Sequence, residues 1–383
     1  MIFVYDSDLT PIGIIDRYNS FIAAKRYKEN GDCEIYLPAS SDALELLKMG
    51  RFVGETDDSV IYRINYIELT TDAENGNFIT IKGIDSKAFI DQRICDGTNI
   101  VKGRAEAFIV KLVNDALGSS ASSARAIPNF AAVDGGLPDV ITEQVSYKNI
   151  GEKVREYCER FGWGYKSELS NGQLIFSVYK GADRSNTVVF APQYENISTS
   201  DYAEDRTNMG NVAYIGGQGE GADRIREQVG TATGADRYEK FVDAREMSTK
   251  VTFEQVTEGY PGGIITIDTG GQYYYSVDGV QIAKVETYSP QSSDQCELMD
   301  DIYREQLDAK GRDELANYAA SVSFQSEIVN RTFEYGKDWF LGDIVKIENE
   351  YGITVNARIT EIIEVEDENG YSLQPSFEYL TGV

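Results

Sequence analysis

Alternation of apolar and polar side chains dominates this chain and predicts β-strands along most of its length. Residues 33–37 alternate in this way, which is typical of a half-buried strand. Residues 60–69 and 78–84 form two further apolar stretches on either side of Asn75 and Gly76. Because Asn-Gly readily adopts the positive φ angles of a tight turn, these stretches predict a β-hairpin.

Three longer segments with helical periodicity interrupt the strands. Residues 104–117 and 149–161 each place apolar side chains on one face, and each is followed by a glycine, Gly118 or Gly162, that can end a helix. Helical spacing around residues 298–315 predicts a third helix, which we expect Gly311 to interrupt.

A pattern near the N-terminus returns near the C-terminus. Both copies contain an apolar-glycine-acid opening, an Arg-Ile pair and an Asn-Gly turn. Independent hairpins can share such features, because alternation and Asn-Gly turns are common to hairpins. The matching openings and Arg-Ile pairs favour a repeat. The corresponding positions are residues 52–55 with 340–343, Gly54 with Gly342, Arg63 with Arg358, and the turn Asn75-Gly76 with Asn369-Gly370.

The repeat predicts an α+β fold, mostly β, with two related tube-like β-barrels and α+β lobes inserted between them. Three such chains in a ring would present six similar barrels, and neighbouring barrels could cover each other's edges by strand addition. The predicted segments are a first barrel at 1–95, an α+β lobe at 96–190, strands completing the barrels at 191–250, a second lobe with a long helix at 251–320, and a second barrel at 321–383.

Composition excludes several classes of function. The 36 basic and 63 acidic residues give a net charge of −27, which argues against direct nucleic-acid binding. The absence of histidine excludes Ser-His-Asp catalysis and His-ligated zinc. No apolar run is long enough to span a membrane, and the N-terminus lacks a signal-peptide pattern, so we expect synthesis in the cytoplasm. The scattered cysteines are predicted to be small buried residues: Cys33, Cys95, Cys158 and Cys296.

Several stretches together resemble one family over most of the chain: residues 6–16, 18–20, 27–38, 179–185, 219–224, 238–247 and 341–345. They are similar to siphophage tail-tip proteins, the central baseplate hub also called the N-terminal region of the tail-associated protein. The resemblance implies a structural protein of the virion tail tip, without enzymatic activity or cofactor, that forms a homotrimeric ring under the tail tube. Its expected partners are other copies of itself, tail-tube or distal tail proteins, and a tip fibre or receptor-binding protein.

Two motifs suggest chemistry but favour turns. Asp268-Thr269-Gly270 follows an apolar strand, as in aspartic proteases, but that chemistry needs two carboxylates that share a proton. The glycine-rich segment 217–222 fits a nucleotide-binding pattern only weakly, because a short polar segment follows it. A cell-wall hydrolase using Asp268 and a carbohydrate-binding module using residues 273–275 are the alternative functions.

Charged turns supply the remaining candidates. Gly-Ala-Asp-Arg occurs three times and carries Arg184, Arg224 and Arg237. These motifs are loop corners, and their arginines, with Arg63 and Arg358, are candidates for contacts between subunits. An acidic hairpin end is interpreted as a solvated turn, with calcium binding as the alternative: Glu364, Glu366, Asp367 and Glu368.

Overall fold

The computed structural model describes residues 1–56, 58–72, 76–318, 321–328, 332–352 and 354–379. Its helices are α1 (Ser41–Leu46), α2 (Ala105–Ala116), α3 (Ile150–Phe161), α4 (Phe253–Gly259) and α5 (Asp300–Ala316). Its strands are β1 (Ile2–Tyr5), β2 (Pro11–Ile15), β3 (Ser20–Arg26), β4 (Asp32–Pro38), β5 (Phe52–Glu55), β6 (Tyr62–Asp72), β7 (Gly76–Asp85), β8 (Thr98–Arg104), β9 (Phe130–Ala132), β10 (Val140–Ser146), β11 (Gly164–Ser170), β12 (Gln173–Tyr179), β13 (Val189–Phe190), β14 (Ile197–Asp205), β15 (Val212–Gly216), β16 (Arg226–Val229), β17 (Glu239–Asp243), β18 (Lys250–Thr252), β19 (Ile264–Ile267), β20 (Tyr273–Val277), β21 (Val280–Val285), β22 (Gln295–Leu298), β23 (Ser321–Ile328), β24 (Ile344–Glu348), β25 (Thr354–Asp367) and β26 (Gly370–Tyr379).

The largest sheet runs in the order β14-β23-β26-β25-β3-β4-β7-β6-β5-β1-β2, with β24 pairing with β25 and β13 pairing with β24. It contains the same succession of strands twice. The first strand set is β3-β4-β7-β6-β5-β1, and the second strand set is β14-β23-β26-β25-β24-β13. The sets differ at their last pair, which is antiparallel in the first set and parallel in the second. The predicted repeat is therefore present in the sheet.

The two long hairpins, β6–β7 and β25–β26, match in detail. In the first, the register shifts between Ile64 and Tyr66, and in the second between Ile359 and Glu361. Each bulge comes directly after the Arg-Ile pair that the sequence pattern singles out. Seven paired residues then lead from each bulge to the turn. A bulge at the same place in both copies is a specific feature, because bulges bend and twist a strand locally.

The equivalent of Gly342 is Gly50, and the predicted match with Gly54 is wrong. The N–H of Gly342 donates to the carbonyl of Ile359 at 2.8 Å, and the N–H of Gly50 donates to that of Ile64 at 2.9 Å. Both glycines have positive φ, +94° and +84°. Gly54 instead lies inside strand β5, so it is not a turn residue. The apolar-glycine-acid opening was too short to fix the alignment.

No closed barrel is found in the described part of the chain. The two strand sets share one continuous sheet, and each has its own apolar core. The inserted material forms four smaller sheets with α2 to α5 packed against them. All four cysteines are buried and free, as predicted. None of the described helices is long and apolar enough to cross a membrane.

Helix α5 is continuous, and the predicted interruption at Gly311 is wrong. The helix runs from Asp300 to Ala316 without a break. A Cβ atom at Gly311 would lie 2.5 Å from a side-chain carbon of Ile215 and 2.9 Å from one of Val229. The glycine therefore lets the helix lie close to β15 and β16, and this packing outweighs its poor helix propensity.

Candidate functional site

The two strand sets meet where β25 pairs with β3, and we call this ladder the seam. It runs from Glu361 opposite Arg26 to Asp367 opposite Ser20. Nε of Arg26 donates to the carboxylate of Glu361 at 2.6 Å, and Nη1 of the same side chain donates to Asp32 at 2.5 Å. The seam is therefore an antiparallel ladder reinforced by charge-assisted hydrogen bonds.

A group of charged side chains lies in the seam around Lys25. Its Nζ is 2.7 Å from the carboxylate of Glu364 and also contacts that of Asp58. Burial alone would lower the pKa of Lys25, but Asp58 and Glu364 raise it overall. The carboxylate of Glu55 lies in the same group, where burial and then Glu364 raise its pKa to about 7. The carboxylates of Glu55, Asp58 and Glu364 could hold a metal ion, but the ammonium of Lys25 already pairs with two of them, Asp58 and Glu364.

Tyr27 follows β3 directly and closes the end of the seam. The residue is fully buried, and its ring lies so close to Gly342 that a Cβ atom there would come within 2.2 Å of it. The guanidinium of Arg358 lies 5.3 Å from the ring centre and donates to the carbonyl of Gly342 at 2.7 Å. The Tyr27 hydroxyl donates to the carbonyl of Gly162 and accepts from the N–H of Gly181, each at 3.1 Å. We call this arrangement the Tyr27 socket.

Several strands of the large sheet have an edge without a strand partner among the described residues, including β2, β13 and β14. In the first strand set, β5 pairs only with Tyr62 and Arg63 of β6, which leaves the outer edge of Tyr66–Asp72 open as well. Tyr66 and Leu69 on this open stretch are 43% and 49% exposed. Open strand edges with exposed apolar side chains are typical sites of strand addition.

Two of the open edges, that of β14 and that of Tyr66–Asp72 in β6, are equivalent to the two sides of the seam. In the second strand set, the stretch after the bulge of β25 pairs with β3. Its equivalent in the first set is the open stretch of β6, and the equivalent of β3 in the second set is β14. One chain therefore carries one completed seam and one unused copy of each of its halves.

The predicted interface arginines all have intrachain surroundings. Nε of Arg184 donates to Asp343 at 2.6 Å, and Nη2 of Arg224 donates to Asp243 at 2.6 Å. Nε of Arg237 donates to Glu239 at 2.5 Å. Arg358 is only 4% exposed and is held in the Tyr27 socket, so it offers little surface to a neighbour. Arg63 is half-buried, with its guanidinium 5.6 Å from the ring centre of Phe89.

The predicted turns lie at the ends of the two hairpins. Gly76 and Gly370 have φ of +94° and +108°, the left-handed region that favours glycine. Asn369 donates its N–H to Asp367 at 2.7 Å within the second turn, and Asn75 lies outside the described residues. Glu364 does not belong to a solvated turn: it is 7% exposed and paired across the seam, because the strand is paired on both sides.

The motifs that suggested chemistry form surface turns. Asp268 accepts the N–H groups of Gly270 and Gln272, each at 2.9 Å, which explains the lowered pKa of its carboxyl. The glycine-rich segment after β15 leads into a three-residue 3₁₀ turn at Gly221–Asp223, which cannot form the helix N-terminus of a phosphate cradle. Residues 273–275 belong to strand β20, where Tyr275 is buried.

Comparison with known proteins identifies the family. Residues 1–377 match the family described as Siphovirus ReqiPepy6 Gp37-like protein. The chain belongs to this family. The predicted resemblance to siphophage tail proteins is thereby confirmed. No curated protein matches this member of the family.

Solved structures of phage tail proteins share the fold of this family member. The tail protein from Neisseria meningitidis MC58 is 11% identical, with a TM-score of 0.57 over 98% of this chain and 95% of that one. The 43 kDa tail protein of prophage MuSo2 from Shewanella oneidensis is 13% identical, with a TM-score of 0.57 over 98% and 97%. Prophage tail protein gp18 from Listeria monocytogenes EGD-e is 11% identical, with a TM-score of 0.51 over 98% and 94%.

Proposed function

We propose that this protein is the structural hub at the tip of a phage-type tail, where three copies close into a ring that caps the tail tube. Its role is mechanical. Six related strand sets would face a tail tube with sixfold symmetry, and the three chains would present threefold symmetry to the proteins on the other side of the ring. Tail-tube or distal tail proteins, and a tip fibre or receptor-binding protein, are the expected partners. The seam is the observation that carries this proposal.

The pairing in the seam suggests how a strand set of one chain could bind a strand set of the next chain. Within a chain, the second set binds the first through the bulged strand of one and the end strand of the other. The same operation applied at the open edges would join β6 of one copy to β14 of the next. Because this contact is head-to-tail, it builds a closed ring if the rotation closes. The repeat in one chain then supplies half of the contacts, and assembly supplies the rest.

The ladders also predict the register of the new contact. Counted across the strands from the two bulges, Ile22 of β3 and Asp201 of β14 occupy equivalent positions. Ile22 pairs with Val365 across the seam, and Val365 and Thr70 are each the fifth residue after their bulge. Thr70 is therefore expected opposite Asp201 of the next copy, in an antiparallel ladder.

Disulfide trapping tests this ring. We expect the double variant Thr70→Cys/Asp201→Cys to form covalent trimers of the 42.6 kDa chain under mild oxidation, as measured by mass on non-reducing gels and in solution. The four native cysteines are buried and should not interfere. The control pairs Thr70→Cys with Ser200→Cys, which is shifted by one residue from the expected register.

Three outcomes would contradict the proposal. Each single cysteine variant should remain uncross-linked, because a head-to-tail contact never places a residue opposite its own copy. Efficient dimers from Thr70→Cys alone would indicate a two-fold contact instead. If neither double variant cross-links at high protein concentration, or both do so equally, the predicted strand pairing is wrong.

A further inference from the structure

The first strand set contains an open counterpart of the Tyr27 socket. A pocket of about 210 Å³ lies at the place where the repeat would put that socket, and its lining includes Gly50, Phe52, Arg63, Phe89 and Arg93. Gly50 and Arg63 are the equivalents of Gly342 and Arg358. In the second set this place is filled by a buried aromatic ring, whereas in the first set it is empty among the described residues. We call it the Arg63 pocket.

The Arg63 pocket contains hydrogen-bond donors that are not paired with an acceptor. Among the residues that the structure describes, the side chain of Arg63 has no hydrogen-bond or ion-pair partner, and its guanidinium lies 5.6 Å from the ring centre of Phe89. Nε of Arg93 is buried and has no acceptor in the described ranges, although its two Nη atoms donate to backbone carbonyls. Buried donors cost free energy when they remain unpaired. In a chain with a net charge of −27, two guanidinium groups in one small pocket favour a polar occupant rich in acceptors.

The proposed ring brings one segment to this pocket. Tyr27 comes directly after β3, and the residue directly after β14 is Arg206. The expected β6–β14 register therefore places the turn at residues 206–209 of the next copy where Tyr27 lies in the seam. Residues 204–208 are exposed, so this turn is available to a neighbour.

The turn at residues 206–209 offers hydrogen-bond acceptors for the unpaired donors of the pocket. It is ordered by hydrogen bonds from the N–H of Thr207 to Asp205 at 2.7 Å and from the N–H of Met209 to the carbonyl of Arg206 at 3.1 Å. The guanidinium of Arg206 is held 2.6 Å from Glu204 of its own chain, which balances its charge. Thr207 and Asn208 add neutral acceptors to the backbone carbonyls of the turn.

We propose that the Arg63 pocket receives the turn at residues 206–209 of a second copy of this chain, with Arg63 and Arg93 donating to acceptors of that turn. This inference rests on the proposed ring and goes beyond it, because it assigns a site that is complete only when the neighbour contributes residues. The Tyr27 socket and the Arg63 pocket are then equivalent sites of the repeat with different occupants. The Tyr27 socket is filled by an aromatic ring of the same chain, and the Arg63 pocket by a polar turn of the neighbouring chain.

Association of the full chain, measured by sedimentation velocity, tests the pocket. Arg63→Met retains an unbranched apolar side chain over Phe89 but removes the donors, and Asn208→Ala removes an acceptor on the other side. We expect Arg63→Met to raise the concentration needed for half-assembly about tenfold or more, because it removes charge-assisted hydrogen bonds. For Arg63→Lys we expect a half-assembly concentration between those of the unmodified chain and Arg63→Met, because lysine keeps the positive charge but lacks the planar set of guanidinium donors. The matched control is Arg312→Met, an exposed arginine of α5 that should change nothing.

A second measurement observes the contact directly. The double variant Gln92→Cys/Asn208→Cys pairs a residue of the pocket lining with the turn, and a short bismaleimide should link two copies. Gln92→Cys with Arg312→Cys should not be linked. If Thr70→Cys/Asp201→Cys traps the trimer while the pocket pair fails to link and Arg63→Met leaves assembly unchanged, the pocket inference is overturned and the ring stands. If the strand pair also fails to trap, both are overturned.

Discussion

The hairpins β6–β7 and β25–β26 have matching bulges and strand lengths but opposite surroundings. Arg358 of the second hairpin is 4% exposed and hydrogen-bonded beneath Tyr27. Arg63 of the first is half-buried beside an open pocket. The difference follows from the order of strands, because β3 of the same chain covers the second hairpin whereas the first lies at an open edge. Equal local structure can therefore form an interior in one place and a surface for assembly in another.

The largest expected contrast lies at the paired glycines. Gly342→Ala would place a Cβ atom 2.2 Å from the buried ring of Tyr27, in addition to the strain of its positive φ. At Gly50 the nearest atom to a Cβ is the end of Arg63, 3.6 Å away, so only the backbone strain remains. We expect Gly342→Ala to lower the free energy of unfolding by about 4 kcal/mol and Gly50→Ala by about 1 kcal/mol, measured by urea denaturation. Equal losses would show that the two glycines are not in different environments.

The paired arginines should show the next largest contrast. Arg358→Ala removes a buried guanidinium, leaves the carbonyl of Gly342 without its donor and opens a cavity beside Tyr27. We expect a loss of about 3 kcal/mol in the free energy of unfolding of the monomer. Arg63→Ala should cost less than about 0.5 kcal/mol, because the side chain has no hydrogen bond to lose within the part of the chain that the structure describes. A comparable cost for both variants would contradict the difference between the two hairpins.

The smallest expected effect concerns Glu55 at the seam. Its folded pKa of about 7 lies above the ordinary value of 4.5, so its contribution to stability is full below about pH 4.5 and is lost as the pH rises through 7. Glu55→Gln should therefore leave stability nearly unchanged at pH 4 and raise it by about 1 kcal/mol at pH 8, after allowance for partial exposure. Thermal unfolding across this range measures the effect. The control is Glu258→Gln, at an exposed position. An equal pH-dependent change in that variant would show that the effect does not arise from the position of Glu55 in the seam.

Local signals predicted the regular elements well. The helix expected at residues 149–161 is α3, Ile150–Phe161, with the side chain of Asn149 accepting the N–H of Glu152 and Gly162 in the left-handed conformation. The turn between β11 and β12 contains the same Asn-Gly pair that predicted the first hairpin, and Asn171 and Gly172 there have positive φ. Such capping and turn residues act over a few positions, so their effect is readable without the rest of the fold.

Contacts between residues far apart in the sequence could not be predicted from such local signals. Lys25 and Tyr27 raised no expectation as site residues, although they form the centre and the end of the seam. Their partners Glu364 and Arg358 lie more than 300 positions away along the chain. Apolar-polar alternation predicts that a segment is a strand, but the alternation is the same whichever strand lies alongside. The one signal within reach was the repeat, and it was aligned on Gly54 instead of Gly50.

By itself the sequence determined the kind of element at most positions, the presence of a repeated hairpin, and the absence of histidine chemistry, because these depend on residue type and short spacing. Only the tertiary structure decided which copy of the hairpin is covered, which glycines correspond, and that the edges equivalent to the two sides of the seam remain open. Those outcomes depend on how distant strands pair, and pairing energy comes from the same backbone hydrogen bonds at every candidate register. The choice between registers is made by side chains that meet only after the chain has folded.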